Sequence, residues 1–243
     1  MLYRSVALYN LLDKEFGWLS VIKEVFVFIY VVAALCFTVR YRIRFRSAGI
    51  YYLKIISYIY SKSKCMATKK KILAIIGSTR ARSSNLFLVT EMIKASADIF
   101  DISVYDSISK LPHFNPDLDT TSPPQEVAAF RKQIMEADGI FICTPEYVFS
   151  LPGSLKNAIE WCVSTTVFSK KPAGLITASA SGEKAHEELQ LIMQTVETVF
   201  TADTTWLIQG IKGKFNAEGI LVHQETQSQM HAFIKAFNTL MER

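Results

Sequence analysis

Nine consecutive residues, Gly77-Ser78-Thr79-Arg80-Ala81-Arg82-Ser83-Ser84-Asn85, hold three serines, a threonine, two arginines and an asparagine. They follow the apolar run I-L-A-I-I at 72–76 and precede a segment with apolar residues at helical spacing. A strand running through such a turn into a helix aims free N–H groups and hydroxyls at one point, where the helix dipole favours an anion. Arginine adds a permanently charged, bidentate clamp suited to phosphate. A plain helix cap would also use serine or asparagine, but one such residue satisfies a cap. The surplus points to phosphate binding.

Two further loops carry unusual chemistry. Thr144-Pro145-Glu146-Tyr147-Val148-Phe149-Ser150-Leu151-Pro152-Gly153 is stiffened by two prolines and a glycine and presents two aromatics. A rigid loop with backbone N–H groups beside flat apolar surface suits a planar heteroaromatic ring. Core or interface packing of Tyr147 or Phe149 is the plainer alternative. Thr177-Ala178-Ser179-Ala180-Ser181-Gly182 is small and polar, so a ring can approach its backbone closely. It reads equally as an ordinary strand-to-helix turn.

Other chemistries lose support. Neither G-x-x-x-x-G-K-S/T nor G-x-G-x-x-G is present, which argues against ATP hydrolysis and a standard dinucleotide fingerprint. There is no G-x-S-x-G and no defensible Ser/His/Asp arrangement, so no catalytic side chain is assigned. The histidines at 113, 186, 223 and 231 cluster neither with one another nor with cysteines, and no metal site is expected. Cys36, Cys65, Cys143 and Cys162 show no C-x-x-C spacing and read as free thiols in a reducing compartment.

The elements that must hold these loops alternate regularly from Lys69 onward. Strands are expected at 72–76, 99–105, 139–144, 172–179 and 204–208. Helices are expected at 83–97, after Ser122-Pro123-Pro124, and at 154–163, 183–199 and 224–241. Five alternations predict a flavodoxin-like α/β fold, a doubly wound five-stranded parallel sheet in the order 2-1-3-4-5. In such a sheet ligands bind beyond the carboxyl ends of the strands, so the loops after strands 1, 3 and 4 should share one site.

These residues resemble the NAD(P)H-dependent FMN reductase family, the flavodoxin-like group that includes quinone, chromate and azo-dye reductases. Its motif G-S-x-R-x-x-S-x-N is matched at Gly77, Ser78, Arg80, Ser83 and Asn85, and T-P-E-Y-N-x-S-x-P-G-x-L-K-N-A-I-D-W from Thr144 to Trp161. Val148 stands where the family has asparagine and Glu160 where it has aspartate. The resemblance implies that Ser78, Arg80, Ser83 and Asn85 hold the FMN phosphate. Pro145, Glu146 and Tyr147 would then border the isoalloxazine, with Ser179, Ser181 and Gly182 along its other side. It further implies hydride transfer from NADPH or NADH through FMN to a small-molecule electron acceptor, such as a quinone or free flavin. A homodimer or homotetramer is implied too, and Phe149, Trp161 and Phe168 are candidates for its interface or, equally, for the core. Arg82 has no family counterpart and is open between the phosphate clamp, the 2′-phosphate of NADPH and solvent.

Charge divides the chain of 243 residues unevenly. Residues 1–65 hold 10 Lys/Arg against 3 Asp/Glu, whereas residues 66–243 hold 17 against 19. The second part is near neutral, which argues against a nucleic-acid partner. It is expected to be the FMN-binding reductase domain, with 1–65 a hydrophobic, basic, helical extension. Residues 25–39 are uncharged and apolar, and arginines follow at 40, 42, 44 and 46. Membrane contact through 18–60 with the remainder held in the cytoplasm is one reading. An upstream segment foreign to the working protein, which would begin at Met66, is the other. The competing function is a flavodoxin-like electron carrier or flavin-binding module without turnover. A carrier would more often be strongly acidic, with a hydroxyl-glycine phosphate loop.

Overall fold

The computed structural model describes residues 69–242, and the expectations for residues 1–65 lie outside them. Five strands, β1 (Lys70–Ile76), β2 (Phe100–Tyr105), β3 (Gly139–Thr144), β4 (Ala173–Ala178) and β5 (Thr205–Ile208), form one parallel sheet in the order β2-β1-β3-β4-β5. Between and after them run α1 (Ser84–Ala95), α2 (Gln125–Glu136), α3 (Gly153–Glu160), α4 (Glu183–Thr195) and α5 (Gln224–Met241). This is the doubly wound arrangement expected from the sequence.

Strand alternation sorts the core into two layers. Leu73, Ile75, Ile140, Ile142 and Leu175 face α2, α3 and α4. Ile72, Ala74, Phe141, Cys143 and Ile176 face α1 and α5. Both β3 and β4 are buried at every position, as central strands covered on both faces must be. At the crowded centre Gly174 leaves room for Phe141 and Phe233, since a Cβ there would lie 2.7 Å from each ring.

The one long disagreement with the periodicity is α4, expected to run to residue 199 and ending at Thr195. Glu197 takes a left-handed conformation (φ 62°) and ends the helix. Val199 then joins the sheet edge, donating to the Lys171 carbonyl at 2.9 Å and accepting from the Ala173 N–H at 2.8 Å. The run T-V-E-T-V is rich in β-branched residues, and strand pairing wins over an apolar spacing that continues to fit a helix.

No helix among the described residues is long and apolar enough to cross a membrane. Residues 18–60, for which membrane contact was one of two readings, are not among them.

Candidate active site

The turn after β1 is built as a cradle. Ser83 caps α1, its Oγ accepting from the Leu86 N–H at 3.1 Å, and Ser78 Oγ accepts from the Arg80 N–H at 3.4 Å. Both hydroxyl protons therefore remain available to a ligand. The N–H groups of Ser84 and Asn85 have no partner among the described residues. No acidic residue occupies the first turn of α1, whereas Glu126, Glu183 and Glu225 occupy those of α2, α4 and α5. An acid-free helix start with open N–H groups beside Arg80 fits a phosphate by its donor set.

Asn85 lies in the same wall but is nearly buried, and its amide is engaged inside the protein. Nδ2 donates to the Ala178 carbonyl at 3.2 Å, and Oδ1 accepts from the Cys143 thiol at 3.1 Å. The residue thus ties the start of α1 to the ends of β3 and β4. Burial pushes the Cys143 thiol far above its usual range and the Cys162 thiol up to about 12. Both stay protonated, and Cys143 acts here as a donor. They are free cysteines, as expected; Cys36 and Cys65 fall outside the described residues.

Glu146 reaches across to α4. Gly182 occupies the capping position with φ 94° and has no side chain to cap with. Glu146 supplies the missing acceptor, taking the N–H of Gly182 at 3.2 Å and that of Ala185 at 3.0 Å. In return Glu188 of α4 accepts from Ser150 Oγ at 2.7 Å and from the Leu151 N–H at 3.0 Å. Two carboxylates, one from each side, thereby fix the β3 loop against α4.

Between those ties the loop makes a tight hairpin, Tyr147 and Ser150 exchanging backbone hydrogen bonds of 3.0 and 3.1 Å. Its two central residues, Val148 and Phe149, have φ of 54° and 57°. Positive φ at both positions makes this the turn type that favours Asn-Gly. An asparagine at position 148 would suit this conformation, and valine, being β-branched, does not. Val148 is outside the cavity lining and is 94% exposed. Val148→Asn is expected to stabilise the fold by about 1 kcal/mol, the scale of the left-handed penalty. Thermal melting checks it: an unchanged or lower midpoint would show that the turn carries no strain.

The loops enclose a cavity of about 460 Å³, within the usual size of small-molecule sites. Ser78, Arg80, Ser83, Asn85, Pro145, Glu146, Tyr147 and Ser179 all line it. Ser181 and Gly182 do not; Ser181 is exposed, and Gly182 spends its N–H on Glu146. Arg82 is also outside the lining, its guanidinium 5.9 Å from the centre of the Phe87 ring. Trp161 and Phe168 are 0% and 2% exposed, which makes them core residues and removes them as interface candidates; Phe149 is 78% exposed. Glu160 pairs with Lys156 at 2.7 Å along α3.

A fourth wall escaped the reading of the sequence. Gly210, Ile211, Lys212 and Gly213, from the loop after β5, complete the cavity. The Gly210 and Ile211 N–H groups bind the carbonyls of Ala180 and Ser179 at 3.1 and 3.2 Å, joining this loop to the one after β4. The signal was the G-I-K-G-K sequence, set off by one residue from the end of β5, glycines around a cation at the ligand-binding edge.

A family model described as NADPH-dependent FMN reductase matches residues 70–212. A potato (Solanum tuberosum) NAD(P)H:quinone oxidoreductase is 32% identical, covering 70% of this chain and 92% of its own. An NADH-dependent flavin reductase subunit 2 from Lactobacillus johnsonii is 34% identical, covering 71% and 96%. Among solved structures, FerB of Paracoccus denitrificans, a flavoenzyme NAD(P)H:(acceptor) oxidoreductase, superposes with a TM-score of 0.65 at 28% identity, over 71% of this chain and 97% of its own.

Proposed function

The chain belongs to the NADPH-dependent FMN reductase family, and on that premise we propose how its residues hold FMN and what the enzyme reduces. The phosphate sits on the β1 turn, held by Arg80, the hydroxyls of Ser78 and Ser83, and the open N–H groups of Ser84 and Asn85. The observation that carries this reading is the acid-free start of α1 beside Arg80. FMN, when bound, supplies the hydride chemistry, taking reducing equivalents from NADPH or NADH and passing them to an acceptor.

The protein's part is placement. The β3 and β4 loops meet the cavity through Pro145, Tyr147 and Ser179, which would hold the isoalloxazine. Glu146 and Glu188 hold the β3 loop rigid, so the ring enters a wall that is already formed. Asn85 acts as a brace of this wall through Ala178 and Cys143, and its backbone N–H serves the phosphate. The acceptor is a quinone or a free flavin, in keeping with the activities named for the related proteins. The protein works as a homo-oligomer in the cytoplasm, with the exposed Phe149 as part of the subunit contact and residues 66–243 as the reductase domain.

Arg80→Ala is expected to weaken FMN binding by roughly 1.5–3 kcal/mol, about tenfold to a hundredfold, the value of hydrogen bonds to a charged group. Fluorescence titration of the apoprotein with FMN reads it directly. Unchanged affinity would remove Arg80 from the clamp. The parent reading is checked in the same preparation: the purified protein should be yellow and should oxidise NADPH or NADH when a quinone is added, and a colourless protein that takes up no FMN sinks it.

A further inference from the structure

The cavity has two cationic side chains on different walls. Arg80 belongs to the β1 turn and Lys212 to the loop after β5, with β3 and β4 between those strands in the sheet. The one acidic side chain in the lining, Glu146, has both oxygens committed to the N–H groups of α4. No carboxylate of the lining pairs with Lys212. It forms no ion pair and no side-chain hydrogen bond among the described residues and is exposed.

Its loop is held firmly. Ile211, beside it, is 4% exposed, and the Gly210 and Ile211 N–H groups are spent on the β4 loop. Gly213 closes a turn by donating to the Gly210 carbonyl at 3.1 Å. Farther on, Phe215 packs against Phe87 with ring centres 5.9 Å apart. Gly210 has φ 63°, and neither it nor Gly213 has any other group within 4 Å of where a Cβ would be. A fixed loop with bare glycines on both sides of a lysine leaves space around that charge for a bulky ligand.

FMN carries one phosphate, and the β1 turn already offers it hydroxyls, two open N–H groups and a guanidinium. A cation on a separate wall is surplus to that need. The second ligand of the reaction, a nicotinamide dinucleotide, brings phosphates of its own. Arg82, the other cation near the turn, is turned onto Phe87 and outside the lining. We propose that Lys212 binds a phosphate of the nicotinamide dinucleotide, while Arg80 and the β1 turn bind that of FMN. The inference rests on the flavin-reductase reading of the same cavity. Lys212 acts as a compact point charge and draws the anionic coenzyme toward the site.

The test compares full-length wild type with Lys212→Ala and Lys212→Arg. FMN affinity is titrated on apoprotein, and binding of NADP⁺ and NAD⁺ to the FMN-loaded protein is measured by calorimetry. KM for NADPH and NADH is measured alongside. Lys212→Ala should weaken dinucleotide binding about tenfold, as for one charged hydrogen bond at an exposed position, with FMN affinity within about twofold of wild type. Lys212→Arg should restore most of it. Loss confined to NADP⁺ identifies the 2′-phosphate as the group bound, and equal loss for both identifies the pyrophosphate; each supports the proposal. Unchanged dinucleotide binding overturns it. So does a tenfold loss of FMN affinity, which would place Lys212 in the flavin clamp. Wild-type protein that binds no FMN would overturn the reductase reading itself, a result separable from any difference among variants.

Discussion

Trp161→Ala is expected to destabilise the protein by about 3–5 kcal/mol, the range for emptying the space of a buried aromatic. Trp161 is 0% exposed. Its Nε1 donates to the Pro112 carbonyl at 2.7 Å, and its ring stands edge-on to Phe114 at 5.1 Å between centres. Its own carbonyl accepts from Arg131 Nε at 2.7 Å, and Arg131 also pairs with Asp119 at 2.7 Å. Asn157, one turn earlier on α3, takes the Phe114 N–H at 2.7 Å and donates to the Pro112 carbonyl at 3.0 Å. Losing the indole thus opens a cavity and loosens the loop between β2 and α2. Denaturant unfolding measures the effect. Trp161→Phe should retain most of the stability, losing chiefly the hydrogen bond, which Asn157 shares. A Trp161→Ala loss below about 1 kcal/mol would show that the ring is not a core element.

That result bears on what a motif means. The stretch from Thr144 to Trp161 matched a reductase signature, which invites reading every matched residue as chemistry. Three different jobs are present. Pro145 and Tyr147 line the cavity, Glu146 caps a helix from the neighbouring loop, and Asn157 and Trp161 pin a distant loop to α3. Spacing along the chain could not separate these, because the partners lie 36 to 49 residues away in sequence. Trp161 was open equally between interface and core, and its burial identifies it as core.

Much of the fold was readable because local and global signals agree. The apolar run at 72–76, the exact span of β3 and the helix at 224–241 all follow from periodicity and breakers. The end of α4 did not, because Val199 is claimed by a tertiary strand contact. The site was readable where composition was unusual, as in the β1 turn. The wall around Lys212 was missed because glycine and lysine after a short strand also describe any surface loop. The strain at Val148 needed coordinates as well: only the backbone angle shows why asparagine suits that place.

A glycine at the head of a tight turn ordinarily serves for its backbone freedom, and Gly77 has a different task. Its φ is not in the left-handed region; what it provides is space. A Cβ at Gly77 would lie 2.5 Å from Thr144 Oγ1, 2.9 Å from Thr144 Cβ and 3.0 Å from Leu155 Cδ2. Both neighbours are fully buried, and Thr144 Oγ1 is committed to the Pro145 carbonyl at 3.0 Å, so neither yields easily. Gly77 is itself pinned, donating to the Cys143 carbonyl at 2.9 Å and accepting from Ser154 Oγ at 3.4 Å. Gly77→Ala is therefore expected to cost about 3 kcal/mol, the upper end for overpacking a dense core. Any relief must push apart the β1 turn and the β3 loop, two walls of the cavity, so FMN affinity should fall with stability. Gly153→Ala is the control: a Cβ there meets nothing within 4 Å, and at the first position of α3 alanine should be neutral or stabilising by about 0.5–1 kcal/mol. Paired unfolding and FMN titrations then separate two causes of weak flavin binding. Arg80→Ala should lose affinity alone, because its side chain is exposed and supports no packing, while Gly77→Ala should lose both. A Gly77→Ala protein as stable as wild type would return that glycine to the role of a simple turn residue.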